Sequence, residues 1–248
     1  MALALAAAIS GSAIADKESD VVAAPVSADN FRLVDSTGFA QELRRLVDVK
    51  AIVVVSQANG DKRSRAAAKS LEAIKAANPG VEFLMLNSSL ADGRNEIMAE
   101  AKAQGYSIPL MDDDNQLVGE QLGVSYVGEA FVIQPKTLKV LYHGPVDAAG
   151  AKKKAKGYLA AALADVTAGK PVTVSYVTGK GTAVAFPERK RIAQHAAISY
   201  SKDVAPILEA KCVTCHQTGG IGPFAMSDYG MVKGFAPIIR EAIRTDTM

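Results

Sequence analysis

Tryptophan is absent from this chain and aromatic residues make up only 6% of it, so a surface built to stack nucleic-acid bases has no support. Charge of one sign is lacking too. The 28 basic and 26 acidic residues nearly cancel to a formal +2, which gives no reason to expect nucleic acid or an acidic partner. Cysteine occurs only as Cys212 and Cys215, which excludes the many-cysteine scaffold of small secreted proteins. Nowhere is there the run of roughly 20 apolar residues that spans a bilayer. What remains is a globular balance, 49% hydrophobic against 22% charged, over 248 residues. That length fits one large domain, or a medium one with a small one.

Residues 1–15 form a short alanine-rich apolar run ending Ala13-Ile14-Ala15, just before Asp16-Lys17-Glu18. The small-x-small ending is the pattern read by signal peptidase, so residues 1–15 are expected to be an export signal, although the positive n-region is missing. The alternative is a packed or disordered alanine-rich start.

From about Phe31 to Val166 helix-like and strand-like runs alternate. Phe39 to Leu46 has helical spacing. Ala51 to Val55 is a β-branched run of the kind found in strands buried on both faces. Lys62 to Ala77 reads as a helix stopped by Asn78-Pro79-Gly80. Val81 to Leu86 is the next strand and Arg94 to Gln104 the next helix. Asp112 to Asn115 reads as a solvated turn, because it lacks the spaced ligands and glycine of a calcium loop. Ala130–Ile133 and Leu138–Tyr142 form an expected hairpin, and Ala148 to Val166 a helix whose Lys152, Lys153, Lys154 and Lys156 make a solvated face. This order implies an α/β domain with a mostly parallel central sheet.

Over residues 31–166 the chain resembles the thioredoxin-like redoxins. The resemblance rests on strand Ile52–Val55 running into a helix, on Tyr126-Val-Gly-Glu-Ala-Phe-Val-Ile133, and on Leu141-Tyr-His-Gly-Pro-Val-Asp147. It implies reactive cysteines in the loop Ser56–Ser64, where this chain has none. It also implies a proline where this chain has Gly128 or Glu129. Without a thiolate the domain is expected to be a degenerate scaffold or docking module, unable to exchange dithiols or reduce peroxide. Residues 167–198 read as a linker, with Phe186 to Arg191 as an exposed basic stretch.

The chemistry is carried by Cys212-Val-Thr-Cys-His216, the C-x-x-C-H haem-attachment pattern. Two thiols three residues apart can add to the two vinyl groups on one edge of a haem, and the adjacent imidazole can then ligate the iron. Alternatives remain. The pair could be a redox-active dithiol, though it follows a helical run, Asp203 to Lys211, outside the α/β region. A structural zinc site wants four ligands, and neither His143 nor His195 has the spacing. Both of those histidines are expected at the surface.

Residues 199–248 resemble bacterial periplasmic cytochrome c domains, in which a Val-x-Pro-Ile-Leu helix precedes the haem motif and a Gly-Pro-Phe loop follows it. Here these are Val204-Ala-Pro-Ile-Leu208 and Gly222-Pro-Phe224, before a helix expected over Asp228–Arg244. The resemblance implies one covalent haem c, iron ligation by His216, and a methionine as sixth ligand: Met248 first, then Met226 and Met231. It implies a periplasmic location and a redox partner there. Redoxin–cytochrome fusions also resemble the front of longer proteins in which a copper type II, ascorbate-dependent monooxygenase-like region follows. No copper-binding His cluster is present here, so a catalytic module would be a separate element. The leading expectation is therefore an electron carrier with no catalytic residues of its own. The rivals are a thiol-disulfide oxidoreductase using Cys212 and Cys215, a haem sensor with an open distal side, or the relay portion of a copper-dependent enzyme.

Overall fold

The computed structural model describes residues 27–146, 157–187, 195–245 and 247. The expected export signal, the lysine-bearing start of the helix after the hairpin, and Met248 lie outside these residues.

A five-stranded mixed sheet forms the centre, in the order β5-β4-β3-β6-β7. Its strands are β3 (Ala51–Gln57), β4 (Val81–Asn87), β5 (Leu110–Asp112), β6 (Glu129–Ile133) and β7 (Val140–Pro145). A small antiparallel pair, β1 (Arg32–Val34) and β2 (Ala40–Glu42), precedes it. The expected mostly parallel sheet is corrected to a mixed one. β3 runs parallel to β4, and β4 to β5, but β6 is antiparallel to both β3 and β7. The short connection between β6 and β7 permits only a hairpin, whereas the parallel neighbours are joined by crossovers.

Those crossovers are the expected helices, α1 (Lys62–Ala77) and α2 (Arg94–Gln104). Asp61 caps α1 by accepting the Ser64 amide at 2.8 Å, and Gly105 ends α2 in the left-handed conformation. Alternation along the strands divides the core in two. Val53, Val55, Phe83, Met85, Val132 and Tyr142 face α1, α2 and α4 (Tyr158–Thr167). Ile52, Val54, Leu84, Leu86, Phe131 and Ile133 face Leu33, Leu43 and the short helix α3 (Leu117–Leu122). Both faces of β3 are buried, as the β-branched run implies. A central mixed sheet with flanking helices is consistent with the thioredoxin-like fold that the resemblance implies.

Three local expectations are overturned. The helix expected over Phe39–Leu46 is instead β2 followed by a single 3-10 turn, Leu43–Arg45. Asp35 decides this. Its carboxylate accepts from the Thr37 and Phe39 amides and from Gln41 Nε2, pinning a tight reversal after β1. The turn at Asp112–Asn115 is only partly solvated, with Asp114 exposed. Asp113 and Asn115 are buried, because Asp113 accepts the first free amides of α3, those of Val118 and Gly119. Phe186 is buried rather than exposed, packed on the α3 side of the sheet.

The last segment holds a wide turn, Tyr200–Val204, running into α5 (Ala205–Lys211), then a loop, then α6 (Tyr229–Thr245). Both helices fall where the sequence pattern puts them. Among the described residues no helix is long and apolar enough to cross a membrane.

Candidate functional site

Cys212, Cys215 and His216 sit on one turn. Cys212 closes α5, and its carbonyl accepts both the Cys215 amide (3.1 Å) and the His216 amide (2.9 Å). That near-helical turn places positions i, i+3 and i+4 on a common face. Cys215 is exposed, Cys212 half-buried, and both are free thiols.

The loop after the motif folds back over it. Gly222 donates to the Cys215 carbonyl at 2.8 Å, and Met226 donates to the His216 carbonyl at 2.8 Å. This brings the Phe224 carbonyl to 3.0 Å from His216 Nδ1. A carbonyl only accepts, so Nδ1 is the donor and Nε2 is the nitrogen left to meet a metal. His216 is itself only 9% exposed. Gly222 is required here, since a Cβ would stand 2.7 Å from His216 Nδ1 and 2.9 Å from the Cys215 carbonyl. Phe224 also tilts against the imidazole, with ring centres 5.0 Å apart, and stacks on Phe235 of α6 at 4.0 Å.

The candidate sixth ligands are spread. Met226 is buried in the small core formed with Leu208 and Val232. Its backbone belongs to the loop that wraps the Nδ1 side of His216, so it packs as core there. Met231 is half-buried near the start of α6. No group of three or more His, Cys, Asp or Glu is placed to hold a metal ion among the described residues. Cys212, Cys215 and His216 therefore do not converge as the ligands of a single ion would.

His195 is exposed, as expected, but His143 is not at the surface. It is fully buried, with Nε2 against the Glu129 carboxylate and its ring stacked on Phe131 at 4.6 Å. The strand continues to Pro145, and the connector covers it: Ser175 and Val177 exchange backbone hydrogen bonds with His143. The cue available in the sequence was period-2 parity along β7, which puts His143 across from Phe131.

At the end of the sheet where a redoxin's thiols would lie, the chain has a closed polar layer. Ser56 Oγ donates to the Tyr126 carbonyl (2.6 Å) and accepts the Glu129 amide (3.0 Å). Gly128 supplies the left-handed conformation there, at φ +85°. Across this end runs the connector, which is a strap and not a loose linker. Val127 donates to the Thr182 carbonyl, Val184 to the Ser125 carbonyl, and Thr182 Oγ1 to Asp61.

No protein-family model matches the chain, and no curated protein matches it. Among solved structures, a hypothetical protein from Sinorhizobium meliloti aligns at 26% identity and TM-score 0.56, over 66% of this chain and 94% of that one. An uncharacterised conserved protein from Geobacillus kaustophilus aligns at 20% identity and TM-score 0.58, over 67% and 94%. A looser likeness, at 16% identity and TM-score 0.42, links 50% of this chain to 93% of a thiol-disulfide oxidoreductase from Bacteroides fragilis. The fold is shared with the first two of these.

Proposed function

We propose that this chain is an exported electron carrier holding one haem c, bound through Cys212 and Cys215 and ligated by His216. The observation that carries the reading is the His216 Nδ1–Phe224 carbonyl hydrogen bond at 3.0 Å. A ligating histidine almost always donates its other ring nitrogen to such a group, which fixes the tautomer and turns the lone pair toward the metal. Attachment balances without an added oxidant: each S–H adds across a vinyl double bond, a C–S bond forms, and the hydrogen goes to the neighbouring carbon. When bound, the haem takes up and releases one electron at its iron.

The residues fit such a group in two further ways. Cys212, Cys215 and His216 share a face, with both thiols free. The segment around them has a small core, while Ile207, Ile221 and Tyr229 stay exposed. A covalently tethered apolar ring would cover these side chains and add to that small core.

The dithiol alternative has weaker support. Reactive thiolates are built at helix N-termini or beside cations, whereas Cys212 sits at the carboxyl end of α5. The sixth ligand we assign to a methionine other than Met226, with Met248 first and Met231 next. The redox partner is a periplasmic protein. To test the reading, the chain is expressed with a cytochrome c maturation system and its absorption spectrum recorded. A c-type spectrum that survives acid–acetone extraction and disappears in Cys212→Ala/Cys215→Ala is expected. A colourless protein with two titratable thiols, while a control cytochrome matures, contradicts it.

A further inference from the structure

The α/β domain reaches the haem-motif histidine through a continuous chain of ring contacts. His216 lies against Phe224 (5.0 Å), Phe224 stacks on Phe235 of α6 (4.0 Å, 11° between planes), and Arg32 of β1 holds its guanidinium carbon 5.5 Å from the Phe235 ring centre. Phe235 is buried, and Arg32 Nε is buried with no hydrogen-bond partner among the described residues. The Nε edge of the guanidinium is thus out of water beside the ring, and a cation–ring contact strengthens as water is removed.

This chain of contacts is not what fastens α6 to the α/β domain. Lys233 Nζ pairs with Asp29 at 2.6 Å, Asn115 Nδ2 donates to the Pro237 carbonyl at 3.2 Å, and Arg240 donates to the Asn115 carbonyl at 3.3 Å. Gly234 permits this closeness, since a Cβ there would stand 3.2 Å from Asn30 Nδ2.

We infer that Arg32 is a positioning residue for His216: its cation clamps Phe235, Phe235 clamps Phe224, and Phe224 fixes the imidazole by ring contact and by its carbonyl. The consequence for a bound haem rests on the preceding reading, but the orientation of His216 does not. This gives the thiol-free α/β domain a task, holding the ligand that the small segment could not hold rigidly alone.

The test needs no haem, so its failure and the failure of the haem reading are separable. In the 15N-labelled full chain, the Nδ1 proton of His216 is observed as a resonance protected from solvent exchange. Wild type and Arg32→Lys, which keeps the cation, are expected to show it. Arg32→Met, which keeps the apolar stem, is expected to lose it, with the sheet amides of β3 and β4 unshifted as the control for folding. Phe235→Leu is expected to match Arg32→Met, and if it fails to fold the Arg32 pair still decides. An unchanged resonance in Arg32→Met overturns the inference. So does its loss in Arg32→Lys, which would show that side-chain shape and not the cation matters.

Discussion

Gly222 has no room for a side chain, and this makes the histidine environment testable at one position. A Cβ there would fall 2.7 Å from His216 Nδ1 and 2.8 Å from Cγ, inside the contact distance real atoms adopt. Gly222→Ala is expected to push the ring off the Phe224 carbonyl and to cost about 1–3 kcal/mol, as overpacking does. Thermal melts and the yield of matured protein measure this, and a fully stable, normally matured variant would contradict it. The C-x-x-C-H spacing is plain in the sequence because its residues are neighbours along the chain. Its supports are not. The Phe224 carbonyl is a backbone group with no sequence signature, and Arg32 and Phe235 meet only after the chain has folded across some two hundred residues. His143 was misplaced for the same kind of reason. Its partner Glu129 lies on another strand, and a histidine beside Gly144-Pro145 looks like a strand end until the connector is seen covering it.

At the scale of elements, α1, β4 and α2 were legible because each is specified locally, by a cap, a buried run or a stop signal. The 39–46 segment was not, since the side chain of Asp35 overrode its helical spacing. The strap over residues 172–187 was only partly legible: Val172–Val177 reads as β-prone, but nothing local says which strand it would cover. Its glycines mark it in the structure. At Gly179 a Cβ would stand 1.9 Å from Tyr126 Oη, so the strap passes directly over that buried ring. Gly179→Ala is therefore expected to lower stability to urea by about 1–3 kcal/mol, without affecting Cys212 or Cys215. An unchanged midpoint would mean the strap is not packed on the sheet. Thr182→Ala, which removes the bond to Asp61, is expected to cost about 0.5–1.5 kcal/mol.

At the scale of the whole molecule, buried carboxyls set the pH response. Burial pushes Asp113 up to about 6 from 3.8, against the pull of the Ser88 hydroxyl and the Gly119 and Val118 amides. Burial, reinforced by the charge of Asp114, pushes Asp112 to about 6 as well. Between these values the folded chain binds more protons than the unfolded one. Their contribution to stability therefore falls as pH rises from about 4 to about 6. Asp35 acts the other way. Burial opposes its charge, but hydrogen bonds from Thr37 and Gln41 hold it below the ordinary range, so its contribution is lost only as pH falls below that range. Asp113→Asn is expected to flatten the decline between about pH 4 and about pH 6, by up to roughly 3 kcal/mol for a shift of this size. Urea midpoints taken across that window measure it, and parallel curves for the two proteins would contradict it.

The central claim is the covalent haem. It is tested most directly by tandem mass spectrometry of the peptide spanning Cys212 to His216, from protein matured in a periplasm equipped for cytochrome c assembly. One haem bonded to both sulfurs is the predicted result. Two unmodified cysteines, or the same two joined as a disulfide, would contradict it.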